Sequence, residues 1–507
     1  MDNRELQASP PAMISLLVLV FILITSYISP AYSADRDTLV VGQSADITSF
    51  DPTEMRMGTL VLTNLLYNNL IRLDSNGHPQ PELASSWQRT GDGKTLTLHL
   101  REGIRFHNGK TLTAKDVAFS IDYAKNPGNG ANILPLARLV ERVETPDMQT
   151  VVLHLNGGSD SIFDLLDLLF IVDSDAADQI KTSGNGTGPF KLARYEPGQE
   201  AVFVRNDNYW RTPASLRRVI IRIIPDQQAQ ILQLRTGSLD FIPSVDQQNV
   251  GELKAAGLSV DTASAESRVL DLTLNNRTAP LNNSSVRRAI RLALDRTRIA
   301  KDVAGPTSLV KCLPWPDHVQ INRSETVEAC EHDITLAKKL IADAGAQGAQ
   351  VNIMSRSQSE PQIGAMSQIV QNELTEIGLK PSINEMSEAA YISRFRKGDF
   401  QIAAHVFGRA SRSPATILSS AVIFKAKDNL AGLISEQYQQ DVSQVTTAPL
   451  NDDSERALQR INALLLHENW VISVATLPML WASRQGVTDL RFTSDGLPLL
   501  EYARISP

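Results

Sequence analysis

Cysteine is scarce: Cys312 and Cys330 are the only two in 507 residues. That region offers too few other ligands for a zinc site. In an oxidising compartment an even pair can close a disulfide loop, and two free thiols are the other reading. Runs of positive charge are also missing. With 49 basic and 56 acidic residues the net charge is −7, which argues against nucleic acid as a partner and against a polybasic membrane patch. No long segment is charge-rich or of low complexity, so no disordered half is expected. No repeat of solenoid period is present.

Catalytic signatures are absent too. The chain has no Gly-x-Ser-x-Gly elbow and no His-Glu-x-x-His zinc motif; His467-Glu468 lacks the second histidine. The Gly-rich turn at 184–190 (GNGTGPF) lacks the Lys-Ser/Thr of a phosphate loop. Asp173, Asp175 and Asp178 lack the glycine and terminal glutamate of a calcium loop and read as a solvated helix start. His107-Asn108-Gly109 reads as a turn closing a hairpin, because Asn-Gly tolerates positive φ.

What is present begins at the N-terminus. Residues 14–28 form an uncharged apolar stretch, too short to cross a membrane comfortably. Ala31 and Ser33 suit the small positions of a signal-peptidase site, which predicts cleavage after Ser33. An uncleaved anchor is the alternative. No later segment reaches membrane-spanning length.

The length predicts two to four domains. Thr38 to Gly42 is a short apolar strand, and leucines at 62, 65, 66 and 70 have helical spacing. Residues 87–89 and 95–100 alternate around Asp92-Gly93 as a hairpin. Thr113 and Asp116 form a capping box opening a helix through Ala124. Residues 160–180 read as one helix, and residues 227–236 as another ended by Gly237. Trp87 and Trp210 are expected to fill a core. From about residue 270, helices at 285–303, 334–344, 360–377 and 456–469 alternate with strands at 269–274, 350–354 and 400–405. That pattern suggests an α/β lobe.

The order of several segments carries a resemblance. They are Ser49-Phe50-Asp51-Pro52, then Pro81 to Trp87, then Leu100 to Gly109, then Leu112 to Val117. Further on come Gly186-Thr187-Gly188-Pro189-Phe190, Asn206-x-x-Tyr209-Trp210, Gly237 to Asp240, Val286 to Ile290, and Ala293 to Arg296. Together they resemble the extracellular solute-binding proteins of family 5, over about residues 38–500. The family includes receptors for dipeptides, oligopeptides, nickel and glutathione.

The resemblance implies an α/β fold of two lobes, the type II periplasmic-binding-protein fold of the large peptide-binding class. The first lobe carries an extra α+β subdomain, and a two-strand hinge joins the lobes. A signal peptide would occupy 1–33. The first lobe would take 34–72, 186–270 and 478–507, the extra subdomain 73–185, and the second lobe 271–477. The implied role is that of the periplasmic binding subunit of an ABC importer. It would enclose a short peptide or peptide-like solute and deliver it to inner-membrane permease subunits with cytoplasmic ATPases. A monomer with no cofactor, no metal and no catalysis of its own is implied.

The resemblance also points to ligand contacts. Arg356 follows a second-lobe strand, at a place like that of the carboxylate-binding arginine of dipeptide receptors, and a planar fork suits a carboxylate. Trp315 sits in a loop that approaches the cleft, and Thr187 lies in the Gly-rich turn near it. In dipeptide receptors the stretch matching 400–427 carries a Trp and an Asp, the Asp holding the ligand's ammonium. Here the stretch holds no acidic residue. Phe407 stands near the Trp and Arg409 near the Asp. The alternative ligand is therefore a small anionic solute, such as an opine-like conjugate, an acidic or blocked peptide, or a metal chelate. A sensory or chaperone-like relative not coupled to import is a further alternative.

Overall fold

The protein, seen in a computed structural model, is described here for residues 37–54, 58–316, 330–449 and 451–506. The expected signal peptide lies outside the described residues. Three sheets organise the rest. A seven-stranded sheet runs, edge to edge, Ser259–Ser264, Met479–Ser483, Phe241–Val245, Thr38–Gln43, Arg218–Ile223, Glu200–Arg205, Phe190–Glu196. Its central pair, Thr38–Gln43 and Arg218–Ile223, is parallel. Leu39, Val41, Val219 and Ile221 are buried there with Phe203 and Phe241, as the alternation of each strand requires.

A four-stranded antiparallel sheet of Ala84–Arg89, Thr95–Leu100, Thr150–Leu155 and Val140–Glu144 forms the core of the extra subdomain. Thr95–Leu100 and Thr150–Leu155 each alternate half-buried and buried residues. The helix Ala114–Lys125 covers them, opened by the expected Thr113/Asp116 capping box. The turn at His107-Asn108-Gly109 forms, with Gly109 at φ 93°. It is tied down by Lys110, whose Nζ lies 2.7 Å from Asp116 and 2.6 Å from Asp173.

Asp173 is therefore not solvated as expected. It is 1 % exposed and caps the short helical turn Ser174–Gln179 by accepting from the Asp175 amide. The single helix expected over 160–180 is broken for a related reason. Only Ser161–Leu168 is helical before the chain extends, where Phe170 bridges to Asn69. The apolar run 168–172 is buried on all sides, a pattern that fits extended chain as well as helix. The tryptophans also differ from expectation. Trp87 and Trp210 are only half-buried and pack against the subdomain core rather than filling that of the first lobe.

A five-stranded sheet makes the second lobe, in the order Lys380–Glu385, Gln350–Ser355, Ile402–Gly408, Arg268–Leu274, Val471–Thr476. The helix expected over 285–303 is interrupted here. Ser284–Ala293 ends before Asp295, whose side chain caps Arg296–Ile299 anew. The helices Ile334–Asp343, Pro361–Glu376 and Asp452–Glu468 follow the periodicity closely. Among the described residues no helix is long and apolar enough to cross a membrane.

The chain passes between the seven-stranded and five-stranded sheets twice. Residues 265–267 join Ser259–Ser264 to Arg268–Leu274, and residues 477–478 join Val471–Thr476 to Met479–Ser483.

Candidate functional site

At the first crossover a cavity of about 700 Å3 opens between the lobes. Ser264, Ala265 and Glu266 of the crossover line it, with Arg72 and Arg211 on one side and Ser411 of the second lobe on another. The volume suits a small solute, and the lining mixes charged and polar groups with apolar ones such as Leu73, Pro316 and Phe492.

The second lobe reaches this cavity through the loop after strand Ile402–Gly408. The loop is anchored to the crossover, because the Ala410 amide donates to the Ser267 carbonyl at 3.0 Å. Arg409 holds φ at 60°, a left-handed backbone that costs a non-glycine residue of order 1 kcal/mol or more. The turn this permits aims the next residues across the cleft. Arg412 is the outcome. Its side chain is 1 % exposed, and its guanidinium meets Asp167 at 2.5 Å, Asp164 at 3.6 Å and Asp495.

Asp164 and Asp167 project from the subdomain helix Ser161–Leu168, while Asp495 belongs to the C-terminal segment. Asp164 also accepts from the Ser413 hydroxyl and the Thr416 hydroxyl, each at 2.6 Å. Ser411 donates to Asp495 at 2.8 Å. Four consecutive residues and their neighbour Thr416 thus join the second lobe to the rest of the molecule.

Electrostatics follows from burial. Loss of water works against the charged Arg412 guanidinium, yet Asp495, Asp167 and Asp164 outweigh it and hold its pKa well above the usual value. The partners respond unequally. Burial drives Asp495 up, but Arg412, then Arg409 and the Ser411 hydroxyl, pull it below the usual carboxylate range. Asp167 lies deeper in protein and ends above its usual value despite the same guanidinium. Each aspartate has a second arginine nearby, Arg409 for Asp495 and Arg72 for Asp167, and for Asp167 burial still outweighs both.

The residues singled out in the sequence are distributed as follows. Arg409 lies close to this cluster and is half-buried; burial lowers its pKa against the attraction of Asp495. Phe407 is half-buried and meets Phe424 edge-on at 6.0 Å. Arg356 is held within its own lobe, with Nη1 2.5 Å from Glu388 and the guanidinium 5.2 Å over the Tyr391 ring. Thr187 is wholly buried and donates to Asn68 at 3.1 Å. Trp315 is wholly buried beside Phe424 and donates from Nε1 to Asn462 at 2.7 Å. Both side chains bond to internal partners, and neither lines the cavity.

Cys312 and Cys330 are joined as a disulfide, with Cα atoms 5.5 Å apart. The Gly-rich turn has a packing reason. A Cβ at Gly186 or Gly188 would collide with the backbone of Leu65 and Leu66 at the end of helix Leu60–Leu66.

Arg412 was not singled out in the sequence, although it stands three residues from Arg409. The available signal was the pair of arginines in an acid-free stretch. What the sequence hides is that the matching acids come from residues 164, 167 and 495.

Comparison with known proteins agrees with this architecture. Residues 78–427 match the model of the bacterial extracellular solute-binding proteins, family 5 Middle. Heme-binding protein A of Haemophilus influenzae is 25% identical over 413 residues, covering 75% of each chain. A probable di/tripeptide-binding protein 5 of Pseudomonas aeruginosa is 27% identical over 411 residues, 73% of this chain and 77% of that one. The crystal structure of NikA from Brucella suis in complex with Fe(III)-EDTA superposes with a TM-score of 0.82 at 20% identity. It covers 92% of this chain and 100% of NikA.

Proposed function

The chain belongs to family 5 of the bacterial extracellular solute-binding proteins, and from that membership we propose that it is the periplasmic receptor of an ABC importer. In this reading the leader at 1–33 exports it. The two lobes close on a short peptide or peptide-like solute, and the closed monomer delivers that solute to membrane permease subunits driven by cytoplasmic ATPases. It carries out no chemistry itself. The observation that carries the reading is the cavity of about 700 Å3 beside the crossover, walled by both lobes. A solute bound there touches parts of the molecule that two short stretches of chain connect covalently, so binding free energy can shift an open–closed equilibrium.

The Arg412 cluster balances its own charges and stands outside the cavity lining, so the missing acid of the second lobe does not by itself favour an anionic solute. The stretch 400–427 has no acid of its own, but Asp164, Asp167 and Asp495 face it from the other side. Relatives named for heme and for di/tripeptides, and NikA holding Fe(III)-EDTA, span a wide range of solutes.

The test is a thermal-shift screen of the refolded, ligand-stripped protein. The panel holds di- to pentapeptides, glutathione, acidic sugar–amino-acid conjugates and nickel and iron chelates. A solute at 100 to 1,000 times its Kd is expected to stabilise the fold by ~3–4 kcal/mol. Turnover of any panel member, or stabilisation by none, would reject the receptor reading.

A further inference from the structure

One wall of the cavity is built from two arginines that the sequence did not single out. Arg72 lies in the middle of strand Ile71–Leu73, and Arg211 follows Trp210 in the loop after strand Glu200–Arg205. Behind them sits Glu82, whose side chain is 3 % exposed. Its Oε1 accepts from Arg72 Nε at 2.9 Å, and its Oε2 lies 2.8 Å from Arg211 Nη2. One buried carboxylate therefore orients two guanidinium groups. Arg211 is further fixed by stacking over the Trp210 ring at 4.5 Å. These contacts remove the rotamer freedom that a long cation otherwise loses on binding, and a fork held in place is well suited to a planar anion.

The donors are not used up. Glu82 takes the Nε of Arg72, while its Nη groups make no hydrogen bond within the described residues. Arg211 spends its remaining contacts on weak, long partners, the Tyr502 hydroxyl at 3.4 Å and the Pro81 carbonyl at 3.5 Å. Both side chains line the cavity. Other acids stand near: Asp74 and Glu266 line the same cavity, Asp74 already accepting from the Asn76 and His78 amides, and Asp167 acts on Arg72 through space. Glu501, which burial pushes up to about 7, offsets the two cations only in part at neutral pH. By contrast, Arg356 is already neutralised by Glu388, and Arg412 by its aspartates.

We propose that Arg72 and Arg211 form the carboxylate subsite of the cleft cavity, so that the enclosed solute carries a free carboxylate held by this pair. The inference rests on the receptor reading above and adds the chemical group that the solute must present. A carboxylate here gains charge-assisted hydrogen bonds from two forks already paid for by the fold, whereas an ester or amide in the same place loses the charge.

The test offers the stripped protein an equal mixture of di- to tetrapeptides from a peptone digest, as free acids and as methyl esters. Glutathione and sugar–amino-acid conjugates are included in both forms. Bound solutes are released and counted by mass spectrometry. The expected result is that the wild type captures free acids at least tenfold over their esters. Arg72→Met and Arg211→Met should each lose that preference, and Arg72→Lys should keep part of it. Arg142→Met, on an exposed strand of the subdomain, should behave as wild type. Equal capture of acids and esters by the wild type would overturn the subsite, with no dependence on how any variant folds. So would an undiminished preference in both methionine variants that keep native circular dichroism. In either case the receptor reading survives, because solute is still captured. Capture of nothing at all would reject both.

Discussion

Arg412 Nη1 donates to Asp167 Oδ2 at 2.5 Å across the boundary between the lobes, from 245 residues away in sequence. Removing one partner of a buried ion pair costs about 3–5 kcal/mol, because the other charge is left without compensation. Arg412→Met strands Asp167 and Asp495 together. The expected outcome is a loss of that order in urea unfolding, with a larger radius of gyration in X-ray scattering as the lobes part. An unchanged radius would mean that the cluster does not hold the lobes together.

Acid should weaken the fold in two stages. His405 is buried, and burial first, then the Arg356 charge, lowers its pKa to about 4. His107 is lowered to about 4 by burial as well. A histidine depressed in the folded state binds its proton more readily when unfolded. Stability is therefore full above about pH 6.5, falls as pH drops towards 4, and levels off below. Each histidine can contribute up to about 3 kcal/mol to this fall. Asp495, depressed in the fold, adds a second loss below about pH 4 as it takes up its proton. Denaturation midpoints at a series of pH values should show the first stage shrink in His405→Gln and the second shrink in Asp495→Asn.

Arg356 offers a sharper discrimination. It is bonded to Glu388 and repels a proton from His405. Arg356→Met should raise the His405 pKa, read by NMR titration of the imidazole, and should change affinity for a captured solute by less than about twofold. A tenfold loss, about 1.4 kcal/mol, would instead place the solute on Arg356.

The disulfide encloses 18 residues of separation, for which loop entropy predicts ~3 kcal/mol of stabilisation. Cys312→Ser with Cys330→Ser should lower the unfolding free energy by about that amount. Solute affinity should persist, since Trp315 beside the bridge packs on Phe424 and not into the cavity.

Local order was readable in the sequence wherever one short-range cause decides it. The Thr113/Asp116 box and the Gly237 stop each terminate a helix by contacts within a few residues. The motif order sufficed for family and fold. Residues 160–180 were misread because an apolar run buried on every side loses its period. The cleft was legible only by half. Arg409 was noticed as a charge out of place, but its significance depends on a left-handed backbone that swings Arg412 onto aspartates from two other segments. Arg72 and Arg211 carried no sequence signal at all, since Glu82, which aligns them, is ten residues from one and far from the other.

The second lobe leaves and rejoins the first at neighbouring strands. Val269 pairs with Thr476, so the two ends of everything between the crossovers lie side by side. A stretch that starts and finishes at one point can be lifted out and replaced without re-threading the remainder. The loop 409–413 travels with such a cassette, while Arg72, Arg211 and Glu82 stay behind. Exchange of this piece between relatives would thus redraw one half of the recognition surface and leave the other half as inherited.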